Sequence, residues 1–378
     1  MMKEYLRFCT LFFVMLSLSV LGFAQQNFEK KSWFNIYGFG RTNFVWDNQD
    51  MGRSDLFVPA NIKVGQPRNP NFFIGAKQTR IGFDFHQPVG DEELFIKLEG
   101  DFHNDATDAT GIFRMRHALV KYKFVLIGME WSNFFDIEAN PTTVDFEGPN
   151  SSTLSRTPQI VFATYKSKNI LSISFENPIE KITLGGNVTA LPERFPDVIA
   201  SYRVNGQFGF IKAAGLFREV RYQSDESRSL YGYGGTVLGS VKIGNVDKLK
   251  FQTVIGTGIA RYIQGIINLN YDAIYNGSPE MESLFIRGSN ISFQHFWKSH
   301  IHSSITGGWL DVVGNPNLQS TDYKKGYYGS VNLFWDPVPN LTFGLEALAG
   351  ERVNIDRQKG SALRTQMNAT YKFNYSNQ

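Results

Sequence analysis

The chain has 378 residues, 42% of them hydrophobic and 15% aromatic, which is too much apolar surface for a disordered protein. Its 38 basic and 35 acidic residues leave a formal charge of +3, so the charge gives no reason to expect nucleic acid as a partner. Past the first two dozen residues, no run of about 18 apolar residues could cross a bilayer as a helix.

Residues 1–24 have the pattern of a secretory signal peptide. Lys3 and Arg7 form a short positive region, Leu11 to Phe23 is apolar, and Gly22-Phe23-Ala24 offers a small-x-small cleavage site before Gln25. The apolar stretch is too short to serve as a membrane anchor. Cys9, the single cysteine, lies inside the expected signal peptide, so residues 25–378 contain no disulfide and depend on hydrogen bonding and burial.

From residue 33 onward the dominant period is two. The sixteen candidate strands run over 33–46, 78–87, 93–103, 113–123, 124–131, 159–167, 170–176, 197–207, 209–221, 230–243, 248–262, 283–297, 300–310, 326–335, 341–350 and 362–375. The last is the clearest. Leu363, Thr365, Met367, Ala369, Tyr371, Phe373 and Tyr375 share one parity, and Arg364, Gln366, Asn368, Thr370, Lys372 and Asn374 share the other. Successive side chains of a strand point to opposite faces, so this strand has one apolar and one polar face. Connections are short at Asn205-Gly206 and Asp336–Asn340 and long over 47–77 and 132–158. Nothing divides the chain after the signal peptide, and 25–378 reads as a single domain.

A soluble sandwich would turn the apolar faces inward. A membrane barrel turns them out to lipid and the polar faces in to a lumen. Strand length, the alternation of short and long connections, and aromatic residues at strand ends (Trp33, Trp46, Phe296, Trp297, Trp309, Trp335, Tyr371, Phe373, Tyr375) favour the barrel. The expected fold is all-β: an antiparallel transmembrane β-barrel of 16 strands, wide enough for an aqueous channel, in the outer membrane of a bacterium.

Parity then assigns the lumen. Arg80, Lys97, Lys121, Lys123, Arg203, Lys212, Arg218, Lys250, Arg364 and Lys372 are expected to point inward, against Asp84, Glu99, Asp101 and Glu346. That basic excess predicts a lean toward anions. The segment after Trp131 has no strand pattern and carries Asp136, Glu138, Asp145 and Glu147 among Phe and Pro residues. It is expected to fold into the barrel as a constriction loop, placing carboxylates opposite basic residues of the wall. The alternative is an external loop that packs on a neighbouring subunit.

The run Ile112-Phe113-Arg114-Met115-Arg116-His117-Ala118-Leu119-Val120-Lys121-Tyr122, then Trp131-Ser132-x-Phe134, Pro141 to Asn150 and Arg156-Thr157-Pro158-Gln159-Ile160, resembles the DcaP-type porins of bacterial outer membranes. Lys77-Gln78-Thr79-Arg80-Ile81-Gly82-Phe83 fits the same pattern. The resemblance is specific over about 70–167 and diffuse elsewhere. It implies a homotrimer of sixteen-stranded barrels passing small anionic solutes such as dicarboxylates, with Arg80, Arg114, Arg116 and Arg156 as wall or eyelet residues. Parity alone puts Arg114 and Arg116 on the face of Ala118, Val120 and Tyr122, unless a bulge near His117 or a position above the lipid intervenes. Two features depart from the family. Gln25–Ser32 is too short for the coiled coil that precedes some relatives' barrels, and the chain ends Tyr375-Ser376-Asn377-Gln378 rather than on an aromatic.

The alternative function is a barrel acting as an adhesin or a lipid or ester hydrolase. The sequence has no Gly-x-Ser-x-Gly elbow, phosphate loop or His-Glu-x-x-His. His300 and His302 are two apart and lack a third ligand nearby in sequence, so no metal and no cofactor is expected. The chain is also too short for 22 strands and a plug. The expected partners are outer-membrane lipid, small anionic solutes and further copies of the chain, with no nucleic acid.

Overall fold

The computed structural model describes residues 31–51, 55–104, 111–179, 181–277, 280–314 and 317–377. The expected signal peptide lies outside these residues. Sixteen long strands follow one another: β1 (Trp33–Asp47), β2 (Arg80–Val89), β3 (Glu92–Asp101), β4 (Arg114–Tyr122), β5 (Val125–Trp131), β6 (Arg156–Ala163), β7 (Ile170–Glu176) and β8 (Asp197–Gly206). They continue as β9 (Gly209–Gln223), β10 (Ser227–Ile243), β11 (Asp247–Thr257), β12 (Phe285–Lys298), β13 (Ile301–Val312), β14 (Tyr323–Val338), β15 (Leu341–Asn354) and β16 (Lys359–Ser376). Each pairs antiparallel with the next, and β1 pairs with both β2 and β16, so the sheet closes into a barrel. Closure leaves no long free sheet edge, which unsatisfied backbone groups in hydrocarbon would make costly.

The faces decide the solvent. Ile81, Leu98, Ile127, Val331, Leu345, Leu363 and Met367 point outward and are about half exposed, whereas Gln252, Asn290, Ser292, Gln294, Thr306 and Asn332 point inward and are buried. Large apolar side chains outside and amides and hydroxyls inside suit a bilayer around the barrel, not water. The start of β1, the end of β16 and the short turns share one end, with Asn35 opposite Ser376. Lys123, expected on the lumen wall, instead occupies the exposed two-residue turn between β4 and β5, with φ 54°. A turn residue belongs to neither face, so parity cannot place it. Two strand-end aromatics also turn inward rather than to lipid: Trp33 stacks on His86, and Phe296 stacks on His302.

At the other end three long connections fold into the barrel: L1 (48–79), L3 (132–155) and L6 (258–284). Leu56, Val58 and Ala60 of L1, Phe134 of L3 and Ile259, Tyr262, Ile263 and Ile266 of L6 form one buried cluster. The cluster packs on inward-facing Ile199, Leu216, Val254, Ile286 and Leu310 of the wall. The wide aqueous interior expected from strand number is therefore filled on the β8–β14 side. At the level of these loops the lumen stays open along β1–β6.

Candidate functional site

L3 crosses the lumen and is fastened at intervals to distant strands. Near its start, Lys212 Nζ on β9 donates to the Phe135 carbonyl at 2.7 Å. Arg203 on β8 donates to Asp136 at 2.7 Å and to Glu138 at 2.9 Å. Lys250 on β11 holds the Asn140 carbonyl at 2.7 Å, and Asn332 on β14 holds that of Thr142 at 2.9 Å. The Asp145 amide donates to Glu346 on β15 at 2.6 Å, and Arg41 on β1 donates to the Val144 carbonyl. Bonds to charged groups are worth about 1.5–3 kcal/mol each, so the loop is a fixed partition rather than a mobile flap.

The loop carboxylates meet the wall in two ways. Asp136 and Glu138 pair with Arg203 on the wall. Asp145 accepts from the Phe57 amide at 3.2 Å, the Gly148 amide at 3.0 Å and the Tyr328 hydroxyl at 3.2 Å, and so ties L3 to L1 and to β14. Glu147 accepts from Gln264 of L6 at 2.9 Å. These bonds position the loop, and Asp145 and Glu147 also line the cavity that the wall arginines share.

Opposite the loop stands an arginine wall. Arg80 on β2, Arg114 and Arg116 on β4 and Arg156 on β6 line one cavity of about 910 Å³, which the L3 segment from Pro141 to Glu147 closes on the other side. Arg114 forks onto Asp101 with two bonds of 2.9 Å. Arg116 spans Glu99 at 3.0 Å and Asp101 at 2.7 Å, and Arg80 approaches Glu99 at 3.3 Å. The parity conflict at β4 is resolved by a β-bulge. Glu99 pairs with His117 and Gly100 with Met115, so Arg116 is an extra residue. One added residue flips the alternation, and Arg114, Arg116 and His117 all face the lumen while Met115 faces out.

Arg156 differs from its neighbours. Among the described residues it has no carboxylate partner, its Nη1 is buried without a hydrogen bond, and its guanidinium carbon stands 4.7 Å from the Trp131 ring centroid. Three guanidinium groups share the carboxylates of Glu99 and Asp101, and the fourth is held on an aromatic face with hydrogen-bond capacity to spare. The wall keeps an excess of positive charge in a narrow passage.

Other expected lumen residues divide by what covers them. Lys97 lines the cavity beside Asp84 at 3.7 Å, and Lys121 lies inside against the rings of Phe95 and Tyr165. Arg218 and Arg364 point inward yet reach no open lumen, a correction to their assignment as wall charges. Arg218 is sealed under L6 with Asp197 and Asp272, and Arg364 is sealed under L1 with Asp47 and the Phe57 ring. His300 and His302 do not form a joint site: His300 sits in a turn, while His302 stacks between Phe296 and Phe334.

A partition loop fastened across a sixteen-stranded barrel, facing basic residues on strands two, four and six, is the arrangement that the sequence comparison bears on. The model of the family described as DcaP outer membrane protein matches residues 34–373. The chain belongs to this family. The DcaP outer membrane channel of Acinetobacter baumannii has a similar structure, with a TM-score of 0.79 at 22% identity over 91% of this chain and 98% of that one. The anion-selective porin of Comamonas acidovorans shares the fold at a TM-score of 0.59 and 11% identity, over 91% of this chain and all of that one. OmpT of Vibrio cholerae does so at 0.57 and 13% identity, over 92% of this chain and all of that one. None of the curated proteins matches the chain. This DcaP-family barrel is an outer-membrane protein, and its site includes residues that sequence reasoning passed over. Arg41 could have been found from the inward parity of Tyr37, Phe39 and Asn43. The stacking of Arg116 and Arg156 on Trp131 and the ingress of L1 and L6 left no comparable local signal.

Proposed function

We propose that the chain is an outer-membrane diffusion channel for small anionic solutes, carboxylates and dicarboxylates among them, working as a homotrimer. The observation that carries this reading is Arg156, set beside Arg80, Arg114 and Arg116 with donors unspent and L3 closing the passage opposite. A guanidinium fork matches a planar carboxylate in bidentate fashion, and a focused positive field in a low-dielectric channel concentrates anions and repels cations. Exchange between neighbouring arginines lets a carboxylate be passed on rather than trapped. Trimerisation rests on the likeness to the DcaP-type porins and on the apolar outer face, which suits subunit contact as well as lipid.

The test is to refold residues 25–378 in detergent, insert them in a planar bilayer and measure conductance and reversal potential across a KCl gradient. Steps in threes with an anion-leaning reversal support the reading. A cation lean sinks the anionic assignment and leaves the channel. A folded, heat-modifiable barrel that passes no current favours the adhesin or hydrolase alternative instead.

A further inference from the structure

A second basic cluster lies on the far side of L3, at the turn end of the lumen, and the arginine wall does not account for it. Lys242 on β10 and Lys248 on β11 are direct cross-strand partners, and the next lumen-facing position on β11 is Lys250, opposite Ser240. Their inward parity is that of buried Leu238 and Gln252. With Arg203 and Asn205 on β8 and Glu138 of L3 they line a cavity of about 390 Å³. Like charges directly opposite one another on a sheet repel and destabilise the pair. Several other lumen cations are matched by carboxylates: Lys97 by Asp84, Arg203 by Asp136 and Glu138, Arg364 by Asp47. Among the described residues no carboxylate comes within ion-pair distance of Lys242, Lys248 or Lys250. Glu138 is already engaged by Arg203, and Asp247, beside Lys248 in the chain, takes the opposite parity and holds His295 and the Phe296 amide.

We infer that this lysine bed is a second anion site, selective for a compact polyvalent oxyanion of the phosphate or sulfate type. The inference rests on the reading of the barrel as a channel for anions. Ammonium groups are strongly hydrated point charges without a planar fork, so three of them converging on one cavity suit a tetrahedral dianion better than a planar carboxylate. The guanidinium forks of the arginine wall match planar carboxylates as well as tetrahedral oxyanions. Lumen parity keeps the lysines from the lipid headgroups, so the ligand is a solute. The L3 segment Asp136–Asn140 separates the two sites, since Asn140 lines the arginine cavity and Glu138 the lysine cavity. An anion leaving one site therefore meets the other in series.

The test uses inorganic phosphate as probe on the refolded channel in a planar bilayer with symmetric KCl at pH 7.5, added to one compartment and then the other. Wild type is expected to show side-dependent block, stronger from one side. Lys242→Gln/Lys248→Gln is expected to need about tenfold more phosphate, as the loss of charge-assisted bonds implies, and Lys242→Arg/Lys248→Arg to recover most of the block. Both positions are exposed, so heat-modifiability should be unchanged. Equal block in wild type and the Gln variant overturns the site, as does block no stronger than that by acetate at equal charge concentration. The chloride-to-potassium reversal potential of wild type reports separately on the anion-channel reading, so either can fail without the other.

Discussion

Arg156 stands over the indole of Trp131 with its guanidinium carbon 4.7 Å from the ring centroid, and Arg116 approaches the same ring at 5.8 Å. One side chain at the end of β5 thus props two of the four wall arginines, and His117 and Phe135 meet its ring edge-on at 5.6 Å. The aromatic face supports a cation without neutralising it, which a carboxylate in the same place would do.

This relationship separates charge from position. Arg156→Gln should lower the anion-to-cation permeability ratio and weaken block by small dicarboxylates, with no change in heat-modifiability. Trp131→Leu keeps every charge and removes the prop. A cation–π contact is worth about 0.5–1 kcal/mol at a hydrated site, so solute block should weaken about two- to fivefold while the chloride-to-potassium ratio stays near wild type. Reversal potentials and dicarboxylate titrations of single-channel current read both. An unchanged permeability ratio in Arg156→Gln would remove this residue from the selectivity filter.

The Arg364–Asp47 pair should behave in the opposite way. It is almost fully buried, bidentate at 2.7 and 2.8 Å, and capped by Phe57. Truncating one partner leaves the other charge buried, at a cost of about 3–5 kcal/mol. Asp47→Ala is expected to lower the temperature of the heat-modifiable transition seen by gel shift and to leave ion selectivity alone. Arg364→Leu/Asp47→Leu should regain part of the loss. A shift in reversal potential without a stability change would return Arg364 to the lumen wall.

L6 offers a test of the filled half-barrel. Tyr262 is fully buried, contacts Phe134 edge-on at 5.8 Å and donates its hydroxyl to Asp197 at 2.8 Å. Replacing residues 259–283 by a short Gly-Ser turn between β11 and β12 removes this filling, while the closed hydrogen-bonded sheet remains. Single-channel conductance should rise several-fold and anion preference should fall, because the added passage bypasses the arginine wall. Unaltered conductance in a folded variant would mean that L6 obstructs nothing.

The strands and their faces were legible because they are local. All sixteen expected segments correspond to barrel strands, and the parity of Leu363, Met367 and Tyr371 against Arg364, Gln366 and Asn368 already separated the two sides of β16. Alternation is a property of neighbouring residues, and the bilayer imposes it on every strand. The inward path of L3 was also foreshadowed by its length and its Phe and Pro residues.

Which inward charges meet solute was decided only in three dimensions. Arg156, Arg218 and Arg364 all carry a guanidinium into the barrel, yet only Arg156 faces the open passage, because L6 lies over Arg218 and L1 over Arg364. A single bulge between Glu99 and Gly100 on β3, opposite Arg116, turned Arg114 and Arg116 to the lumen. Lys123 lost its place to a turn. Periodicity tells a side chain which way to point. What stands in front of it depends on contacts between residues as far apart as Asp47 and Arg364, which no local pattern encodes.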